Sequence, residues 1–246
     1  MTTLSRLHVR LRVRLSVRAS LAMAACALLA SPLSAQSISA PNNSFESSLG
    51  KFSGGGAYST YAQTFVTPAA APSLQSFTIF LGDDFGQGAD LFFRAHVFEF
   101  NVTTFRLVGA PLYSSTLRTG STNLSAFDAY IFNIAGGLTL NAATTYALVV
   151  SALGTVPSAF TALADGATNA IGTSTANAYA GGSAYRSAAT GTLTDLGLAN
   201  AFQSADHPDL AFSATFQAVV PEPSTVLLTG VGLGVLVLVR RRRRAR

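Results

Sequence analysis

At 246 residues, 49% hydrophobic and only 11% charged, the chain has room for one sizeable core. Its net charge of +5 belongs to the termini, because Arg6, Arg10, Arg12, Arg14 and Arg18 open the chain and six arginines close it. From Gln36 to Val220 only Lys51, Arg94, Arg106, Arg118 and Arg186 face ten acidic residues, which leaves no electrostatic footprint for a phosphate backbone and excludes nucleic acid as a partner.

The first arginines precede an apolar run from Ala19 to Leu33, and Leu33-Ser34-Ala35 offers a small-residue cleavage site. Residues 1–35 therefore read as a secretory signal peptide, taken by the secretion translocon and cut after Ala35. With no Arg-Arg pair among them, the general secretion route is expected rather than the twin-arginine one. Cys26, the only cysteine, lies in Met23-Ala24-Ala25-Cys26, which loosely resembles a lipobox. Only seven residues separate it from Arg18, about the shortest h-region in use. A domain that starts at Gln36 has no cysteine and must hold together by packing alone.

Residues 36–218 read as an all-β, antiparallel β-sandwich of jelly-roll type. The strand candidates are Tyr61 to Thr67, Phe77 to Leu81, Leu91 to Phe98, Thr104 to Val108, Ala126 to Ile134, Thr145 to Ala152 and Leu210 to Gln217. In the last of these Leu210, Phe212, Ala214 and Phe216 alternate with Ala211, Ser213, Thr215 and Gln217, the period of a half-buried strand. Glycine clusters at 54–56, 82–88, 109–111, 136–137 and 165–166 predict turns. Residues 160–170 are alanine-rich enough for a short helix. From Asn169 to Asn200 small residues dominate and predict a long surface loop carrying little core. A sharper reading has that loop lay Tyr179 and Tyr185 against a sugar face.

Catalytic constellations are thin. His96 and His207 are the only histidines after Ala35, and neither a Gly-x-Ser-x-Gly elbow nor a Walker loop occurs. His96 shares a strand face with Arg94 and reads as a solvated strand residue rather than a general base. The expectation is a non-enzymatic protein with no catalytic residue and no cofactor. Asp83, Asp84 and Asp90 are candidates for calcium, which wants about six to eight oxygens, but their spacing matches no calcium loop and an acidic glycine-rich turn explains them. Asp206-His207-Pro208-Asp209 predicts a turn before the last strand, with Pro208 holding its entry extended. The competing class is a secreted carbohydrate-active hydrolase, in which Asp83, Asp84 or Glu99 would supply a carboxylate pair about 5 to 9.5 Å apart.

Residues 219–246 form a separate segment. After Val220-Pro221-Glu222-Pro223, the stretch from Ser224 to Val239 holds no charge and is followed by Arg240, Arg241, Arg242, Arg243, Arg244 and Arg246. As a helix rising about 1.5 Å per residue its sixteen residues span about 24 Å, short of a bilayer core of about 30 Å. Local thinning and snorkelling by Arg240 make up the difference. The arginines orient the segment, keeping themselves cytoplasmic and everything before Pro221 on the far side. Hydropathy alone is equally satisfied by a simple C-terminally anchored envelope protein.

Pro221-Glu222-Pro223, a short glycine-bearing apolar span and terminal arginines, in that order, resemble the PEP-CTERM sorting domain of Gram-negative bacteria. The resemblance implies a membrane-anchored precursor and processing near Pro221-Glu222-Pro223 by an exosortase, a membrane cysteine protease-transpeptidase. It also implies delivery of the upstream domain to the cell surface or extracellular matrix, where contact with exopolysaccharide is expected. Four further stretches look like those recurring in PEP-CTERM surface proteins: Ala62-Gln63-Thr64-Phe65, residues 138–146, Tyr179-Ala180-Gly181-Gly182 and Asp209-Leu210-Ala211-Phe212. They carry no biochemical activity with them.

Overall fold

The computed structural model describes residues 35–50, 58–70, 72–83, 91–153 and 168–218. The signal peptide, the glycine clusters at 54–56 and 165–166, Asp84, Asp90 and the sorting segment lie outside the described residues. Strands β1 to β5 are Gln36–Ala40, Ser44–Gly50, Thr60–Val66, Ser73–Gly82 and Phe92–Asn101. Strands β6 to β10 are Arg106–Ser114, Arg118–Thr119, Asp128–Thr139, Thr145–Ser151 and Thr168–Ser174. The last four, β11 to β14, are Ala184–Ser187, Gln203–Ser204, Asp209–Leu210 and Phe212–Gln217.

They pair antiparallel in two sheets. In the first, the long strands run β1-β14-β4-β8, and β10 pairs β2, β13 and the last two residues of β4. In the second the order is β12-β11-β3-β9-β5-β6, with β7 beside the start of β5. The core between them joins Phe77 and Ile79 of β4, Phe132 of β8 and Phe212, Ala214 and Phe216 of β14 to Phe65, Val97, Leu148 and Val150 of the second sheet. Phe65 and Phe216 meet across it with ring centroids 5.6 Å apart, and Phe77 stacks on Phe132 at 5.0 Å. Burial of each such side chain stabilises the fold by about 1.5–3 kcal/mol. Successive residues of a strand point to opposite faces, so Ser76, Thr78, Ser213 and Thr215 face outward where their neighbours face in.

The outer face of the second sheet is also covered. Ala62, Phe98, Phe100, Ala147 and Val149 pack beneath Tyr185, Phe202 and Leu196, the last on a 3-10 helix over Leu193–Gly197. With both faces covered, β3 and β9 are buried almost throughout and lose the polar-apolar alternation of a solvated strand. The expected surface loop from 169 to 200 is thereby corrected: it contributes β10 and β11, and Asn169, Thr173 and Ser174 within it are fully buried. Its small side chains fit between layers, and Tyr185 and Leu196 supply the apolar area that orders it. Thr168 to Ala170 are strand rather than helix; the rest of that helix expectation falls outside the described residues.

Two expected glycine turns are bulges instead. In β6, residues 109–112 stand opposite the single residue Phe98, and in β8, residues 134–137 stand opposite Gln75. Gly109, Gly136 and Gly137 have φ of 69°, 77° and 72°, values that the missing Cβ makes cheap. Both strands therefore continue past their glycines.

The two chain ends of this sandwich leave it side by side. Gln36, at the start of β1, pairs with Phe216, next to the end of β14. The connections at the same end are tied together: Leu140 N–H donates to Pro72 O at 2.8 Å, and Thr67 N–H to Thr144 O at 3.1 Å.

Candidate functional site

At the other end of β4 a pocket of about 230 Å3 is lined by Phe45, Asp83, Asn123, Leu124, Phe127 and their neighbours. Phe45 is 63% exposed and Leu124 is 69% exposed, so two large apolar side chains stand in water at its rim. One wall is the loop from Ser121 to Asp128, whose shape comes from its own polar groups. Asn123 Oδ1 accepts from the backbone N–H of Ser125 and of Ala126, each at 3.1 Å, closing an Asx turn. Ser121 Oγ donates to Asp128 Oδ2 at 2.6 Å. Asn169 of β10 clamps the backbone of Ser121 from both sides, at 2.8 and 2.9 Å, and Asp83 N–H donates to Asn123 O at 3.0 Å. The loop is thus held by β4, β8 and β10 and presents Leu124 and Phe127 on a fixed backbone. Such a cavity is smaller than the roughly 300–1,000 Å3 of sites for drug-sized ligands. It suits one ring-sized apolar or amphipathic group.

Tyr179 and Tyr185, the expected sugar contacts, are placed as packing residues. Tyr185 is buried, with Phe100 and Phe105 at 5.0 and 5.8 Å. Tyr179 sets its ring edge-on to Phe212 at 5.5 Å, and its hydroxyl accepts from Val66 N–H at 3.3 Å. Burial pushes both phenols above their ordinary pKa.

Tyr179 belongs to a buried node that gathers the recurring stretches. Fully buried Asp209 accepts from Gln63 Nε2 and from Tyr179 N–H, both at 3.0 Å, while Gln63 Oε1 accepts from Leu210 N–H at 2.7 Å. Thr64 and Ser183 exchange hydrogen bonds beside it, and a Cβ on Gly182 would run into the Thr64 carbonyl oxygen. The fourth stretch arrives through Tyr146, whose ring lies 6.1 Å from Phe65 and whose hydroxyl accepts from Asn141 N–H. These four stretches thus meet around Asp209 and Phe65 and build the fold there.

Of the remaining candidates, His96 is a correction. It is 2% exposed rather than solvated, because the second sheet is covered on both faces. Asp83 is buried behind the pocket loop, and Glu99 is exposed on β5 in the other sheet. His207 Nε2 lies 3.4 Å from Ser44 Oγ, and Asp206 takes a two-pronged bond from Arg186 at 2.7 Å. Among the described residues no three His, Cys, Asp or Glu side chains are grouped to hold a metal. Sequence reasoning missed Phe45 and Phe127. Phe45 follows Asn42-Asn43-Ser44 outside any strand candidate, whereas Phe127 sat inside the candidate from Ala126 to Ile134, so nothing local marked the pair.

Among the described residues no helix is long and apolar enough to cross a membrane. No curated protein and no solved structure matches the chain. Residues 219–244 match the PEP-CTERM protein-sorting motif, so the chain carries a motif that implies export and processing by exosortase.

Proposed function

We propose that this chain is a non-enzymatic surface protein whose domain contacts neutral exopolysaccharide through the pocket at Phe45. The orders β1-β14-β4-β8 and β3-β9-β5-β6 are those of a jelly roll, an architecture shared by many lectin domains. The observation that carries the reading is position. The pocket lies at Gly82, while the tail departs from Gln217, which pairs with Ser73 at the other end of β4. Ten residues at about 3.3 Å each separate the two ends by about 30 Å. A domain delivered by its tail therefore presents Phe45, Leu124 and Phe127 outward. The outer face of the first sheet supports a neutral polyhydroxylated partner. Registered rows Ser37-Thr215-Ser76-Asn133 and Ser39-Ser213-Thr78-Ile131 cross it without a charge.

Phe45→Ala with Phe127→Ala is expected to weaken retention on exopolysaccharide from the native host by at least about tenfold, since each lost aromatic contact costs on the order of 1.4 kcal/mol. Sorting of the double variant is expected to be unchanged. Equal retention of variant and wild type would sink the pocket reading. Of the carboxylates named for the hydrolase alternative, Asp83 follows β4 of the first sheet, Glu99 lies on β5 of the second, and Asp84 is outside the described residues.

Sorting has its own test. A plain anchor needs apolar length and flanking charge, whereas a protease must read an extended backbone and specific side chains outside the bilayer. Changing Pro221, Glu222 and Pro223 to alanine is expected to leave full-length protein in the inner membrane of a host with an exosortase, while the wild type loses its tail and reaches the surface. If both fractionate alike and keep Arg246, the tail is only an anchor.

A further inference from the structure

We propose that the end of the sandwich from which both termini depart is a membrane-contact surface, resting on lipid headgroups while the precursor awaits processing. The proposal rests on the reading of the tail as a membrane segment. Two tethers reach this end. From Gln217 to the apolar run at Ser224 is seven residues, at most about 24 Å extended, with Pro221 and Pro223 stiffening the path. On the neighbouring strand Gln36 lies three residues past Leu33, the end of the N-terminal apolar run, a reach of about 10 Å. Because Gln36 pairs with Phe216, both tethers pull on adjacent strands at one edge.

The chemistry of that end fits the partner. Val66 to Ala70, Pro72, residues 139–144, Ala35, Gln36, Gln217 and Ala218 include no charged side chain, although residues 36–220 carry twice as many acids as bases. Val66 is 38% exposed, and Ala69, Ala70, Ala142 and Ala143 are exposed. Of the described charges near this end, Glu99 and Arg106 lie on β5 and β6, beyond β9 from the exits, and Asp206, paired with Arg186, follows β12 at the opposite edge of the second sheet. Carboxylates within about 10 Å of anionic lipid would be repelled with little screening. An uncharged pole of alanine, proline, threonine and valine approaches without that cost. The hydrogen bonds tying 67–72 to 140–144 keep it in one shape.

The absence of cysteine after Ala35 makes a direct test simple. In a Cys26→Ser background, Ala142→Cys marks this pole and Ser125→Cys the pocket end, both at exposed loop positions. The full-length chain, labelled with a thiol-linked fluorophore, is reconstituted in phosphatidylethanolamine and phosphatidylglycerol vesicles containing headgroup spin-labelled lipid. The probe at 142 is expected to be quenched severalfold more than the probe at 125. Chains that float with the vesicles yet show equal quenching, or more at 125, overturn the membrane-contact surface alone. Chains that fail to float overturn the tail reading, and this proposal with it. Asymmetric quenching that appears only when exosortase is co-reconstituted assigns the pole to the enzyme and overturns the lipid contact.

Discussion

Asp209→Ala is expected to cost the domain about 4 kcal/mol, a large share of the roughly 5–15 kcal/mol that holds a typical domain folded. The carboxylate is fully buried and is the acceptor for Gln63 Nε2 and Tyr179 N–H, each at 3.0 Å. Hydrogen bonds to a charged acceptor contribute about 1.5–3 kcal/mol each, and removing one partner leaves the other desolvated. The loss spreads because Gln63 also receives Leu210 N–H, and β13 runs directly into β14 in the core. Asp209→Asn keeps the shape and one acceptor, and is expected to cost about half as much. Gly182→Ala attacks the same node by overpacking, forcing a methyl into the Thr64 carbonyl, at about 3 kcal/mol. The pair should be less than additive, since each disrupts contacts the other needs. Urea unfolding of the processed protein checks all three. A midpoint for Asp209→Ala indistinguishable from wild type would show that the node is ornamental.

The second large effect is acid sensitivity. His96 sits on β5 with Nδ1 2.8 Å from Ser114 Oγ on β6, Val149 opposite on β9 and the Phe98 ring 5.9 Å away. Among the described residues its buried Nε2 has no hydrogen-bond partner. Burial first, and the Arg94 guanidinium second, lower its pKa from 6.5 to about 4. The unfolded chain therefore binds a proton below pH 6.5 that the folded chain refuses until about pH 4. Stability from this residue is complete above pH 6.5 and falls as pH falls, by about 1.4 kcal/mol per unit and about 3 kcal/mol in all. His96→Leu removes the titrating group and the orphaned nitrogen together. Measured by denaturant unfolding at pH 7 and pH 4, wild type is expected to lose about 3 kcal/mol more than the variant. Equal losses would mean that His96 is protonated alike in both states.

Where one face of a strand meets water, the pattern was readable: β4 and β14 alternate, and both were expected within a few residues. Where both faces are covered, alternation vanishes, as in β9, whose apolar run was recognised by composition rather than by period. Short strands such as β10 and β11 had no pattern to read, because small residues between two layers resemble those of an exposed loop. Gly109 and Gly136-Gly137 read as turns because a positive φ serves a bulge and a turn equally well. Only the residues opposite, Phe98 and Gln75, distinguish the two.

The pocket was illegible for the same reason. Phe45 and Phe127 are 82 positions apart, and β10 brings them together by pairing β2 and fixing the Ser121 loop through Asn169. His96 looked solvated because the burial of its strand face rests on partners in β6 and β9, Ser114 and Val149, that the local pattern does not name. The sorting motif is the opposite case: proline, glutamate, an apolar span and arginines are legible in the order in which they are written, because the motif is contiguous in the chain. The sequence by itself therefore determined that this chain carries a sorting motif. Which residues line its pocket was decided by long-range strand pairing, since burial depends on partners that a linear pattern does not name.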